Sequence, residues 1–320
     1  MANSNIFNFR DATRQQAKAS ILIEGLTGKG KSGLALLLAH ALAGKDWQKV
    51  FAIDTENKSL DLFEGINFNN GEKCSPFKKI DLLPQHGYQP TNYLACKDSA
   101  VASGGLVCIN DSITHMWQRE NGVLELVAQK ERANKSYNKY SAWGDPEVVA
   151  EKQAIYNVVR DSRIHVISTV RVKEKFEMVT NAEGKTNLQS LGEQELQMPD
   201  LKYEPDLVLS MVRAGNMNGT APKAHVIKSR YAILQEGKVY EFTDNLIQQI
   251  VDYLNEGADP ATLLEAQRQD LIKGITNILN DDASKKTMFP ILKEQQGFKD
   301  VPLTELPLGV LQTLIGILLA

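Results

Sequence analysis

Cysteine is scarce in this 320-residue chain. Cys74, Cys96 and Cys108 form no Cys-x-x-C pair and stand at no metal-ligand spacing from a histidine. That excludes a disulfide framework and a thiolate zinc site and fits a reducing compartment, with the thiols inert. Histidine is also sparse. His40, His86, His115, His165 and His225 are scattered, so structural or surface roles are expected rather than a metal centre. Positive charge is not in excess: 36 Lys and Arg stand against 39 Asp and Glu, a net charge of -3 with pI about 6.0. No global field draws the chain to nucleic acid, and any such contact falls to local basic loops. A long hydrophobic run is missing. LPLGVLQTLIGILLA at 306–320 falls short of the roughly 20 apolar residues of a spanning helix and is interrupted by Pro307 and Gly309. The start, MANSNIFNFRDATRQQ, lacks the apolar stretch of a secretory signal. The expectation is a cytoplasmic protein without membrane contact, with the Leu-rich last segment a docked or self-associating helix. No internal repeat or low-complexity tract occurs, and 42% hydrophobic with 23% charged residues is an ordinary globular composition.

The stretch GLTGKGKSGLA at 25–35 satisfies two phosphate-binding patterns. From Gly25 it reads G-x-x-x-x-G-K-S, the P-loop; from Gly28 it reads G-x-G-x-x-G, the dinucleotide fingerprint. The two differ at Lys31 and Ser32. A P-loop requires a lysine for the β and γ phosphates and a hydroxyl for Mg²⁺ directly after the last loop glycine, whereas the dinucleotide pattern leaves both positions free. SILIE before the loop is a short apolar run, and SGLALLLAHALA after it has helical spacing. Strand, loop and helix are the context the P-loop needs. ATP is therefore the expected ligand, with Gly25, Thr27, Gly28, Lys29, Gly30, Lys31, Ser32 and Gly33 around its phosphates.

A P-loop calls for a partner acid at the end of an apolar strand, to hold Mg²⁺ together with the loop hydroxyl. LVCINDS supplies Asp111. Taken alone, Asp111 reads equally well as a helix N-cap; beside a P-loop, Asp111 and Ser32 are the expected magnesium pair. Hydrolysis needs a carboxylate to orient and polarise water, and the run KVFAID ends in Asp54-Thr55-Glu56. Glu56 is the candidate base, with Asp54 behind it and a solvated turn carboxylate as the plain alternative.

Four apolar runs, SILIE, KVFAID, GLVCIND and HVISTV, are separated by helix-length segments, the pattern of a parallel sheet buried on both faces with its ligand at the strands' carboxyl ends. After 171 the periodicity fades through NAEGKTNLQSLGEQELQ. DLVLSMV, AHVIKS and KVYEFT then read as short strands extending the sheet in antiparallel fashion. EGADPATL at 256–263 offers Asp259 as an N-cap and Pro260 at a first helical position. The expected architecture is α/β: a core over residues 1–257 with a mostly parallel sheet, then a small helical domain over 258–320.

The succession GLTGKGKS, FAIDTEN, LVCINDS, HVISTVRVKEKF resembles the RecA-like ATPases, and among them the compact phage-encoded RecA-like proteins of single-strand annealing and recombination. YSAWGDPEVVAEKQAIYNVVRDSRIHVISTVRVKEKFE, a Trp-containing segment leading through a helix into an apolar strand ending in Thr-x-Arg, adds to the likeness, which spans roughly residues 18 to 255. The resemblance implies a RecA-like core, Glu56 as the catalytic glutamate, and Ser168 or Thr169 as the γ-phosphate sensor in place of the recombinases' usual glutamine. It further implies that Lys228 and Arg230 of VIKSRY match the Lys-x-Arg element that reaches a neighbouring subunit's phosphates in head-to-tail rings or filaments. A cation arriving there in the transition state is worth a factor of about 10³ or more in rate. A solvated basic pair is the plainer reading of those two residues. RVKEKFEMV, with Arg171, Lys173 and Lys175, falls where RecA-like proteins carry a DNA-binding loop.

Composition points to a second nucleic-acid segment. QKERANKSYNKYSAW at 129–143 interleaves Lys130, Arg132, Lys135 and Lys139 with Tyr137, Tyr140 and Trp143, suited to hold phosphates by charge and bases by stacking, worth about 1–3 kcal/mol per base. Glu131 and Asp145 dilute that charge, and a helix end with aromatics packed on the sheet is the structural alternative. The expected function is a Mg²⁺-dependent ATPase acting on single-stranded DNA, with nucleotide sites at subunit interfaces. The alternative is a nucleotide-switched loader or adaptor whose C-terminal helices meet a replication or single-strand-binding protein.

Overall fold

The computed structural model describes residues 12–134, 139–180, 186–215 and 219–319, and for 139, 175–180 and 186–193 the backbone alone. Among the described residues nine strands form one α/β sheet: β1 Ser20–Gly25, β2 Val50–Asp54, β3 Lys78–Asp81, β4 Val107–Asp111, β5 His165–Thr180, β6 Thr186–Glu195, β7 Leu207–Arg213, β8 Lys223–Ser229 and β9 Val239–Glu241. The helices are α1 Lys31–Leu42, α2 Pro90–Ala102, α3 Thr114–Gln118, α4 Val123–Ala133, α5 Lys139–Trp143, α6 Pro146–Val159, α7 Asp244–Asn255, α8 Pro260–Asp281, α9 Ala283–Gln295 and α10 Leu308–Leu319. The chain divides into two compact units, Ala17–Leu254 and a second made of Asn255–Ala320 with Met1–Gln16. The break falls just before the expected position 258, and the short segment ahead of β1 goes with the C-terminal unit.

In the larger unit the sheet order is β3-β2-β4-β5-β1-β7-β8-β9, with β6 paired to β5 alone. Strands β3, β2, β4, β5, β1 and β7 run parallel; β8 pairs antiparallel with β7, and β9 antiparallel with β8. The apolar runs become parallel strands because both sheet faces are covered. Ile21 and Ile23 turn into a layer with Leu34, Leu36, Leu38 and Ile250, while Leu22 turns to the other face with Tyr93, Ile155 and Val158, all nearly inaccessible. Each such aliphatic side chain contributes about 1.5–3 kcal/mol on burial.

Two features depart from the sequence-based expectation. KKID, too charged to read as a strand, is the edge strand β3, held by the parallel register Ile53↔Ile80. The stretch after 171, without local periodicity, is part of a long antiparallel hairpin in which β5 continues past the sheet and pairs with β6 from Val172↔Glu195 to Thr180↔Thr186. Its order comes from a partner strand, which local pattern does not record.

The smaller unit packs Ile275 of α8, Leu292 of α9, and Leu311, Leu314 and Leu318 of α10 around Leu306. Asp259 caps α8 as expected, accepting from the Ala261 and Thr262 N–H groups at 3.2 and 3.3 Å, with Pro260 at the first helical position. No helix among the described residues is long and apolar enough to cross a membrane.

Candidate functional site

The carboxyl ends of β1, β2 and β4 and the stretch of β5 around Thr169 and Arg171 meet in one cluster of polar side chains. The loop from Gly25 to Gly30 joins β1 to α1, so the first amides of a 12-residue helix face it, the arrangement that attracts anions. Gly30 lies at φ 89°, and a Cβ there would stand 2.6 Å from the Ala214 Cβ. Only glycine fits. Thr27 and Gly28 are exposed at the loop's outer edge, while Lys29 and Gly33 are half-buried. The Lys31 ammonium folds back onto its own loop, donating to the Gly25 carbonyl at 2.8 Å and the Leu26 carbonyl at 3.1 Å. A phosphate oxygen would replace those two acceptors.

The Ser32 hydroxyl donates to Asp111 Oδ2 at 2.7 Å, and Thr169 on β5 donates to the other carboxylate oxygen. Asn110 Nδ2 reaches Ser168 Oγ at 3.0 Å, so Thr169, not Ser168, meets the acid. Burial pushes the Asp111 carboxyl above its ordinary range, the Thr169 and Ser32 hydrogen bonds only partly opposing it. A nearby dication would offset that cost. Among the described residues no group of three or more His, Cys, Asp or Glu side chains could hold a metal. One hydroxyl and one carboxylate are nonetheless the protein ligands a phosphate loop gives Mg²⁺, water and phosphate oxygens supplying the rest.

Asp54 and Glu56 part ways. Asp54 is 1% exposed and caps the turn after β2, accepting from the Glu56 N–H at 2.8 Å and the Leu60 N–H at 3.0 Å, with Lys79 at 3.8 Å. It is a structural acid. Glu56 faces the site: Ser112 Oγ donates to Glu56 Oε1 at 2.8 Å, and Arg171 Nε donates to the same oxygen at 2.8 Å. The segment carrying Asp111 and Ser112 is pinned by Thr55 Oγ1, which accepts from the Ser112 N–H at 2.9 Å, and by the Tyr93 hydroxyl, which donates to the Ser112 carbonyl at 3.1 Å.

Two features had no signal in the sequence. Arg171, expected on nucleic acid, holds Glu56. A cavity of about 250 Å³ opens beside the start of α1, lined by Gly33, Leu34, Phe63, Asn67, Ala214 and Pro222 among others. Phe63 follows β2 whereas Ala214 and Pro222 flank the β7–β8 turn, so the cavity joins residues roughly 150 positions apart, a separation that no local pattern reads.

The remaining expected residues are dispersed. Ser229 pairs with Leu207, which pairs with Ile21, so Lys228 and Arg230 sit roughly 13 Å along the strands from Gly25, at the sheet's other end. There the Lys228 ammonium donates to the carbonyls of Tyr203 and, at 2.7 Å, Pro205, while Arg230 pairs with Asp206 at 2.9 Å. Neither reaches the glycine loop of its own chain. Trp143 packs on Trp117, ring centroids 5.9 Å apart, with the Lys152 ammonium over its ring. Tyr140 is 86% exposed, and Lys173 is exposed on β5. Lys135, Tyr137 and the side chains of Lys139 and Lys175 lie outside the described residues.

No protein-family profile matches the chain, and no curated protein matches it significantly.

Proposed function

We propose that this chain is a Mg²⁺-dependent ATPase with a RecA-like core that acts on single-stranded DNA, its sites completed between subunits. The observation that carries the reading is the Ser32–Asp111 pair at the mouth of a glycine loop whose lysine rests on replaceable carbonyls. The loop amides and Lys31 bind the triphosphate, and the cavity beside Phe63 takes the base. Mg²⁺ on Ser32 and Asp111 would neutralise phosphate charge. Glu56 orients a water whose oxygen bonds to the γ-phosphorus as the bond to the β–γ bridging oxygen breaks. ADP keeps that electron pair, and the water's proton passes to Glu56. Thr169 keeps Asp111 in place. Lys228 and Arg230, far from their own loop, suit a neighbour's site, and Tyr140 and Lys173 offer an exposed ring and cation to a single strand.

The test is a pair of variants. Lys31→Ala is expected to lose ATP affinity, while Glu56→Gln keeps affinity and loses turnover by about 10²-fold or more. Normal hydrolysis by Glu56→Gln would show that another group is the base. A second reading, a nucleotide-switched loader for another protein, is favoured by the engagement of Glu56 with Arg171 and Ser112, which lets bound ATP persist. Turnover indifferent to DNA but raised by a protein partner would select it.

A further inference from the structure

The carboxylate assigned as base is not free. Besides the two bonds to Glu56 Oε1, Arg171 Nη2 closes an ion pair with Oε2, the side chains being 18% and 35% exposed. A carboxylate gripped by both arms of a guanidinium has its charge neutralised and its lone pairs directed away from water, so it is a poor base. Arg171 is itself placed by the fold. It pairs in register with Gly25, its N–H donates to Thr114 Oγ1 at 2.9 Å, and Val172 after it begins the β5–β6 hairpin. One residue thus touches the start of the phosphate loop, the base and the root of the hairpin.

Against this pair lies a cavity of about 390 Å³ whose walls include Glu56, Arg171, Arg119, Tyr88 and His115. Arg119 makes no ion pair among the described residues. His115 is 5% exposed, and neither ring nitrogen has a hydrogen-bond partner. Glu120 is the one carboxylate on the wall besides Glu56. Two guanidiniums, one without a carboxylate and one on a replaceable partner, on the same wall as an unspent imidazole, suit a single anion of phosphodiester size. Exposed Lys173, two residues beyond Arg171, continues the cationic track along β5.

We propose that the cavity receives one phosphodiester of a bound DNA single strand, and that this phosphate draws Arg171 off Glu56, releasing the base. Arg171 is a positioning residue. The inference rests on the ATPase reading for its consequence, but the exchange of Arg171 between carboxylate and phosphate is measurable without turnover. Because the two partners compete for one guanidinium, the Glu56 pair weakens phosphate binding by the same factor by which bound phosphate weakens the pair.

The full chain is assayed for ATP turnover with and without oligo(dT), and for oligo(dT) affinity by anisotropy without nucleotide. Arg171→Ala is expected to raise DNA-free turnover about 5- to 10-fold and to abolish stimulation by oligo(dT). Glu56→Gln is expected to bind oligo(dT) about fivefold tighter, with the slope of log affinity against log salt steeper by about 0.7. Arg171→Lys, which keeps the charge but not the fork, is expected between wild type and Arg171→Ala, and with Glu56→Gln it decides the matter if Arg171→Ala does not fold. DNA-free turnover of Arg171→Ala at or below wild type, or unchanged oligo(dT) affinity of Glu56→Gln, overturns the proposal. Equal stimulation by millimolar inorganic phosphate alone overturns the strand as the source of the anion. Absence of turnover in wild type under every condition defeats the ATPase reading instead, and the Glu56→Gln affinity still decides the cavity.

Discussion

The same strands carry buried polar groups at both ends, and the two ends are finished differently. Where α2 and α6 meet the start of β5, Lys97 pairs with Asp161 at 3.1 Å, the side chains 3% and 7% exposed, and also donates to the carbonyls of Asn157 and Arg160. Nearby, Ser20 donates to the Val159 carbonyl at 2.6 Å, and His165 Nδ1 accepts from the Ala19 N–H at 2.9 Å. The buried Lys97–Asp161 pair is thus completed within the chain, Arg163 adding a second cation to Asp161 at 2.7 Å. At the opposite end Lys31 rests on loop carbonyls, Asp111 is held by hydroxyls rather than by a cation, and Asn110 Oδ1 and both nitrogens of His115 are buried without a hydrogen bond. Buried polar groups that complete one another stabilise a fold; buried polar groups left incomplete point to a ligand.

Mutation should separate the two ends by what fails. Asp111→Asn is expected to lower ATP turnover about 10³-fold or more while leaving the melting temperature unchanged or raised, because it removes a carboxylate that burial disfavours. Paired kinetics and calorimetry check this, and a lower melting temperature would assign Asp111 to structure. Lys97→Ala should do the reverse, costing about 1–3 kcal/mol in denaturant titration by leaving the Asn157 and Arg160 carbonyls without their donor, while Arg163 still holds Asp161 at 2.7 Å, at unchanged KM for ATP.

Protons probe both ends together. Burial, with the Arg119 charge, lowers the His115 pKa to about 4, and burial, with Lys18, lowers that of His165 to about 3. Both rings fold neutral. The unfolded chain takes up their protons near pH 6.5, so stability is complete above that value. It falls as pH drops towards 4, by up to about 1.4 kcal/mol per pH unit for each histidine. His165→Asn, whose carbonyl can accept the Ala19 N–H, should flatten that slope in pH-dependent unfolding. Arg230→Ala is expected to have the smallest effect on stability, within about 0.5 kcal/mol, since its pair with Asp206 is exposed. Its turnover should nevertheless drop in the assembled state and recover partly on mixing with Lys31→Ala subunits, each supplying what the other lacks.

Much of the larger unit was legible from local pattern. SILIE, KVFAID, GLVCIND and HVISTV carry enough apolar surface to fix strands buried on two faces, and Gly-Lys-Ser after the first of them fixes a loop and helix start at α1. Asp259 and Pro260 mark the start of α8 because capping is a contact within three residues. The β5–β6 hairpin and the edge strand β3 were not legible, their order coming from cross-strand bonds to a distant partner. Among the acids the sequence ranked Glu56 ahead of Asp54 without showing where either side chain goes. Only packing turned Asp54 inward to cap Leu60 and Glu56 outward to Ser112.

By itself the sequence determined the glycine loop between β1 and α1, its lysine and serine, and the acid at the end of β4, because each depends on backbone conformation and chemistry within a few residues. Tertiary structure alone decided that Ser32 and Thr169 share Asp111, that Lys228 and Arg230 lie at the far end of the sheet, and that Arg171 closes on Glu56. Those are meetings between residues about 24 to 115 positions apart on different strands, a helix and loops, and sheet register and helix packing, which are collective, choose them.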